Sequence, residues 1–188
     1  MHYTCAVLSV ADINRSREFY ETLFGLEVDR DYGINISFIC GLALQQNFAW
    51  LVGIPEAHIV KRPNNMELAF EEVQFDAFLE KLEKYDVERL GNVVEHSWGQ
   101  RVVRFYDPDG HIIEVGEEMK TVAQRFLDAG MDLPAVSARM GISTRDLTKL
   151  LNRCKKAAHP GSLFAFDFPE ERRSAFCRQH RRQCAITA

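Results

Sequence analysis

The sequence predicts an α+β fold: paired βαβββ modules forming an open, curved mixed sheet, with a C-terminal three-helix appendage. Three observations carry this prediction. Residues 3–48 and 66–117 share one plan of strand, helix and further strands, a self-similarity of about 50 residues. Within each repeat, apolar spacing switches between alternation and the period of a helix. The charge balance then breaks: residues 1–152 hold 15 Lys/Arg against 24 Asp/Glu, whereas residues 153–188 hold 8 against 3. Such an asymmetry marks a different unit. The expected division is 1–118 for the paired modules, 119–152 for a helix-turn-helix-like appendage and 153–188 for a basic tail.

Residues 3–10 read as the first strand. Asp12 is placed to cap the next helix by accepting backbone N–H bonds. Ile13, Phe19, Tyr20 and Leu23 form its apolar stripe, and Gly25 stops it. Residues 26–28, 34–40 and 42–48 supply further strands, with Gly41 as punctuation. Residues 49–65, containing Pro55, Pro63 and Asn64-Asn65, connect the modules and have room for a helical turn over 54–61. The plan restarts at 66–73, where Glu67, Ala69 and Glu71 share one strand face and Leu68 and Phe70 the other. Phe75, Phe78, Leu79, Leu82 and Tyr85 follow at helical spacing. Residues 98–117 form a hairpin about Asp107-Pro108-Asp109-Gly110, in which proline fixes φ and glycine takes the left-handed turn.

After Glu118, Val122, Phe126 and Leu127 mark a helix that Gly130 can end. Asp132 caps a second, over 133–140, that Gly141 ends. Ser143 and Asp146 have capping-box spacing ahead of Leu147, Leu150 and Leu151. Three short helices with glycine at the second corner predict a helix-turn-helix arrangement.

At 188 residues, 46% hydrophobic and 27% charged, the composition is that of a soluble globular protein. No apolar run approaches the roughly 20 residues of a membrane helix. The first strand-like run begins almost at Met1, so no leader peptide is expected. Five cysteines without a CxxC pair point to a reducing, cytoplasmic setting.

Glu114 poses the functional question. It sits between Ile113 and Val115, where a carboxylate is costly unless it faces water, a cation or a hydrogen-bond donor. The duplicated plan, the D-P-D-G hairpin ending in I-I-E-V, and the opening V-A-D-I-N-R-S-R-E-F-Y-E-T-L-F-G-L-E-V resemble the vicinal oxygen chelate superfamily. That superfamily includes glyoxalase I, extradiol dioxygenases, methylmalonyl-CoA epimerase, fosfomycin-resistance thiol transferases and bleomycin-binding proteins. The resemblance covers residues 3–117. It implies a small-molecule ligand on the concave sheet face, a homodimer, and in metal-dependent members an ion held by the first and last strands of each module.

Carried over by position, the metal places are Cys5, Gln45, Glu67 and Glu114, with Glu67 and Glu114 also the catalytic candidates for moving a proton. Glu114 matches the family's usual glutamate. Glu67 and Cys5 stand where histidine is common, and Gln45 where glutamate is common in glyoxalase I. The implied divalent ion is Mn, Zn, Ni or Fe: carboxylate and amide oxygens favour a hard ion, whereas a Cys5 thiolate pulls towards Zn. Two carboxylates in one pocket repel unless a cation or proton intervenes. The alternative to a metal is therefore a metal-free acid/base pair.

Three functions follow: a glyoxalase-like lyase, isomerase or dioxygenase; a metal-free binder that sequesters a small molecule; or a ligand-responsive DNA-binding regulator. Arg101 and Arg104 fall on opposite faces of their strand. One is expected to enter the pocket, binding an anionic substrate or neutralising Glu67 or Glu114, and the other to be solvated. Trp98, Phe38, Phe48 and Trp50 read as cavity lining or core, and His111 as an exposed turn residue.

On the third appendage helix, Ser143, Thr144, Arg145, Thr148, Lys149 and Asn152 are of nucleic-acid-contacting types. Asp146 and the acidic main domain argue against a nucleic-acid partner and for a packing or dimer-supporting role. Cys154, His159, Cys177, His180 and Cys184 meet no standard zinc spacing as a set. The tail reads as a disordered or loosely packed extension.

Overall fold

The structure, a computed structural model, describes residues 1–152. The tail and its Cys154, His159, Cys177, His180 and Cys184 lie outside the described residues. The first module runs β1 (Ala6–Val10), α1 (Ile13–Phe24), β2 (Val28–Asp31), β3 (Asn35–Phe38) and β4 (Leu42–Gln46). After α2 (Phe48–Val52) and a 3-10 turn at Glu56–His58 comes the second module. It runs β5 (Glu67–Glu72), α3 (Phe75–Leu82), β6 (Val94–Glu95), β7 (Arg101–Tyr106) and β8 (Ile112–Glu117). Helices α4 (Met119–Asp128), α5 (Leu133–Met140) and α6 (Thr144–Asn152) follow.

Each module makes its own four-stranded mixed sheet, ordered β1-β4-β3-β2 and β5-β8-β7-β6. In both, the first strand lies parallel to the last and the other pairs are antiparallel. The duplication read from the sequence is therefore a duplication of topology.

Helix α1 forms where expected. Asp12 accepts from the N–H groups of Asn14 and Arg15, and Gly25 ends the helix at φ 65°. Its buried stripe (Ile13, Phe19, Tyr20, Leu23) enters a core shared by both modules. Phe24 stacks on Phe70 at 4.3 Å between centroids, Phe19 meets Tyr85 edge-on, and Lys81 Nζ donates to the Thr22 and Leu23 carbonyls.

The hairpin turn closes on the same helix. Tyr20 donates its hydroxyl to Asp107 at 2.7 Å, and Asp109 accepts from Ala11 N, Arg15 Nη2 and Ser16 Oγ. Asp107 also accepts the N–H groups of Asp109 and His111, and its other oxygen lies 2.8 Å from His111 Nδ1. His111 is thus half-buried and tied to Asp107 rather than exposed.

Burial alone would raise the Asp107 carboxyl, but His111 and the Tyr20 hydrogen bond outweigh it and hold it below the ordinary value. Burial likewise opposes charge on His111, yet the hydrogen bond and charge of Asp107, with Asp109, raise it. Burial, then Asp107, pushes the Tyr20 phenol well up.

Helices α4, α5 and α6 enclose a second cluster of Val122, Ala123, Val136, Met140 and Leu147. The predicted caps hold: Asp132 accepts from Ala135 N, Gly141 ends α5 at φ 68°, and Ser143 Oγ accepts from Asp146 N. The helices seat on the turn before β7. Phe126 lies so close to Gly99 that a Cβ there would sit 2.2 Å from the ring.

The connecting segment differs from expectation. Left-handed Asn47 (φ 58°) stops β4 and turns Phe48 into a helix rather than a strand end. Trp50 on that helix is exposed, Phe38 is core, and the turn expected over 54–61 is confined to Glu56–His58. No helix among the described residues is long and apolar enough to cross a membrane.

Candidate functional site

Alternation decides which side chains meet. Val103, Phe105, Ile113 and Val115 face the helices and belong to the core. Their neighbours Val102, Arg104, Tyr106, Ile112, Glu114 and Gly116 therefore share the open face. On β5 the same face carries Glu67, Ala69 and Glu71, paired across the sheet with Ile112, Glu114 and Gly116. Arg104 lies directly opposite Glu114.

The guanidinium reaches both acids. Arg104 Nε donates to Glu67 Oε2 at 3.1 Å, and Nη2 donates to Glu114 Oε2. This settles which arginine faces the carboxylate pair. Two carboxylates and one guanidinium leave the triad one charge negative. Glu114 is 16% exposed and Glu67 41%, so the triad is open to solvent from the β5 side. Neither Oε1 is hydrogen-bonded among the described residues, leaving two acceptor atoms for a ligand.

Further neighbours, of which the sequence reading had selected Trp98, bracket the triad. On one side Arg62 lies over the Tyr106 ring at 4.5 Å, and Tyr106 donates its hydroxyl to Asn64 Oδ1 at 2.8 Å. Arg62 and Asn64 both have positive φ (52° and 51°), an uncommon conformation for side chains of this kind. On the other side Gln100 lies over Gly116, where a Cβ would come within 2.7 Å of its amide nitrogen. Trp98 Nε1 donates to the Gln100 oxygen, Gln100 Nε2 donates to the Glu117 carbonyl, and Trp98 stacks on His96.

Arg101, the other arginine of the strand, is held on the helix face rather than solvated. It pairs with Asp76 at 2.8 Å and Glu117 at 3.2 Å and lies over the Phe75 ring. Glu117 is buried and pairs with Arg125 as well.

The other two ligand places belong to the first sheet. Gln45 is buried beside Ser9 and Asn35, and its amide is spent within the protein. Its Oε1 accepts from Asn35 Nδ2 at 2.8 Å, and its Nε2 donates to the Gln46 carbonyl. Cys5 precedes β1, with Thr4 Oγ1 3.9 Å from its sulfur. Among the described residues, no three His, Cys, Asp or Glu side chains gather as a metal-binding group. Arg104 already supplies the cation between Glu67 and Glu114, so the donor set does not fit a resident divalent ion.

The fold agrees with known proteins. Residues 3–120 match the glyoxalase-like domain family, so the chain belongs to that family, within the vicinal oxygen chelate superfamily. A protein of unknown function from Agrobacterium tumefaciens is 37% identical, with 62% of this chain and 94% of that chain covered and a TM-score of 0.55. A glyoxalase-related enzyme from Fulvimarina pelagi is 23% identical, covering 62% and 87% at a TM-score of 0.52. A glyoxalase/bleomycin resistance protein/dioxygenase family enzyme from Burkholderia phytofirmans is 13% identical, covering 62% and 98% at 0.55. The last two establish the fold alone.

Proposed function

We propose that the chain is a glyoxalase-like protein that binds a small molecule carrying amines or other hydrogen-bond donors on the open face of its second sheet, without a divalent ion. One observation carries this reading: Arg104 holds the two carboxylates together yet leaves the triad one charge negative, with an oxygen of each acid uncommitted. Glu67 and Glu114 are the recognition groups, and the Arg104 guanidinium between them offsets their mutual repulsion. Arg62 and Asn64 at one end, and Gln100 at the other, bound the length of the ligand.

A second reading is proton transfer of the lyase or isomerase kind. Its support is the presence of two carboxylates on one accessible spot, one to take a proton and the other to return it. The protein is expected to work as a homodimer.

The test is a melting-temperature screen of small diamines, aminosugars and matched dicarboxylates against wild type and Glu114→Gln, followed by analysis of the recovered ligand. Amines raise the wild-type melting temperature and lose that effect in Glu114→Gln. Recovery of altered ligand selects the enzyme reading, and stabilisation by dicarboxylates alone refutes amine recognition. Metal analysis of protein purified without chelators returns no stoichiometric Mn, Zn, Ni or Fe.

A further inference from the structure

The stretch matched to the glyoxalase-like family ends at residue 120, within the first turn of α4, and α5 and α6 lie wholly beyond it. Nothing in the triad uses them. Helix α5 has 8 residues and α6 has 9, separated by Gly141, Ile142 and Ser143. Gly141 takes the left-handed conformation, and Ser137 braces the corner by donating to the Ile142 carbonyl at 2.5 Å. A helix of two turns, a three-residue corner containing glycine and a second short helix, all packed on a third, constitute the connectivity of a helix-turn-helix unit.

The second helix of such a unit presents its solvent face to a partner. Leu147 is buried and Leu150 and Leu151 are half-buried against the other helices. Opposite them, Arg145, Thr148, Lys149 and Asn152 form an exposed stripe at i, i+3, i+4 and i+7. No ion pair engages Arg145 among the described residues. Among the described residues Lys149 is bound only by Asp146, and both side chains of that pair are about 60% exposed. An ion pair this exposed is weak and readily exchanged for a phosphate.

The charge is placed to match. Residues 119–152 carry 5 Lys/Arg against 3 Asp/Glu, whereas residues 1–118 carry 10 against 21. The helical segment that bears the polar stripe is therefore slightly basic, next to an acidic main part.

We infer that α6 is the recognition helix of a duplex-DNA-binding unit, with Arg145 and Lys149 on the phosphates and Thr148 and Asn152 turned to base edges. Phosphate contacts supply affinity and release counterions, so binding weakens steeply with salt.

The test is an anisotropy titration of a labelled mixed-sequence duplex of about 25 base pairs with the full chain, at 50 and 200 mM NaCl. Two phosphate contacts predict a loss of about twelvefold between those salts, and further contacts predict more. Arg145→Glu/Lys149→Glu weakens binding at least tenfold at 50 mM and flattens the salt slope by about two. Lys84→Glu, exposed on the glyoxalase-like part, leaves both unchanged. Circular dichroism checks that the variants fold, and Arg145→Gln/Thr148→Ala replaces the charge reversal if it unfolds.

Absence of binding at 50 mM, or binding undiminished in a folded double variant, overturns the inference. So does a dimer that dissociates on the same substitutions without DNA binding, which assigns the stripe to a second copy of the chain.

Discussion

Strand β7 carries two arginines three residues apart, and its two faces use them for opposite ends. On the helix face, Arg101 lies between Asp76 and Glu117, and Arg125 adds a second cation to Glu117. Two arginines and two acids cancel, and Asp76 and Glu117 hold Arg101 further above its ordinary value. On the open face, Arg104 alone among the described residues serves Glu67 and Glu114, and the sum stays negative. The balanced cluster fastens α4 to the sheet, while the unbalanced one has capacity left for a ligand. Identical side-chain chemistry becomes structural or functional according to burial and to whether the charges are matched.

The largest expected effect separates the faces by stability. Glu117→Ala strips a buried acid from two arginines and costs about 3 kcal/mol in urea unfolding. Glu114→Ala removes a partly exposed pairing and costs less than about 1 kcal/mol. Equal costs would erase the distinction.

Next is a gain of metal binding. Arg104→Ala leaves two facing carboxylates without their cation and creates affinity for Mn2+. At tenfold excess over the dissociation constant, Mn2+ stabilises that variant by about 1.4 kcal/mol, or about 3–6 °C in melting temperature. Wild type and Arg101→Ala show no such rise, because Arg104 fills the first site and Arg125 still holds Glu117.

The smallest effect concerns a third ionic site, where burial and matching combine in the Asp107–His111 pair. With the His111 pKa raised, its contribution is full below about 6.5 and is lost as pH rises through the higher folded value. With the Asp107 pKa lowered, its contribution is present above about 3.9 and is lost as pH falls through the lower folded value. His111→Gln therefore removes the alkaline decline of stability between neutral and mildly basic pH, as read from unfolding midpoints. A pH profile identical to wild type would show that the pair does not couple folding to protonation.

What was legible in the sequence follows from the range of the interaction. Asp12, Gly25, Asp132 and Gly141 act within their own turn, so composition and spacing sufficed for the helices. Strand alternation likewise placed Glu67 with Ala69 and Glu71, and the family resemblance singled out Glu114. It could not show Arg104 between them, because that depends on the register of three strands, one of them distant in sequence from the other two. Nothing in Arg62 or Asn64 announces a positive φ, and Gln100 over Gly116 is a contact of folded surfaces. His111 was misread for the same reason. It shares Asp107 with Tyr20, 91 positions earlier, an arrangement that only the folded chain makes.

That same turn sets an order of events during synthesis. Ser16 and Tyr20 emerge long before Asp107 and Asp109, their partners 93 and 87 residues later. Until the second hairpin is made, the first helix has buried polar groups with no acceptor and an aromatic face with no Phe70 or Phe105 to cover it. The first repeat is therefore incomplete on its own despite being a whole copy of the plan. Such long-range closure makes folding slow and nearly all-or-none across residues 6–117. The repeated plan is here a single cooperative unit, whose earlier half waits for its later one.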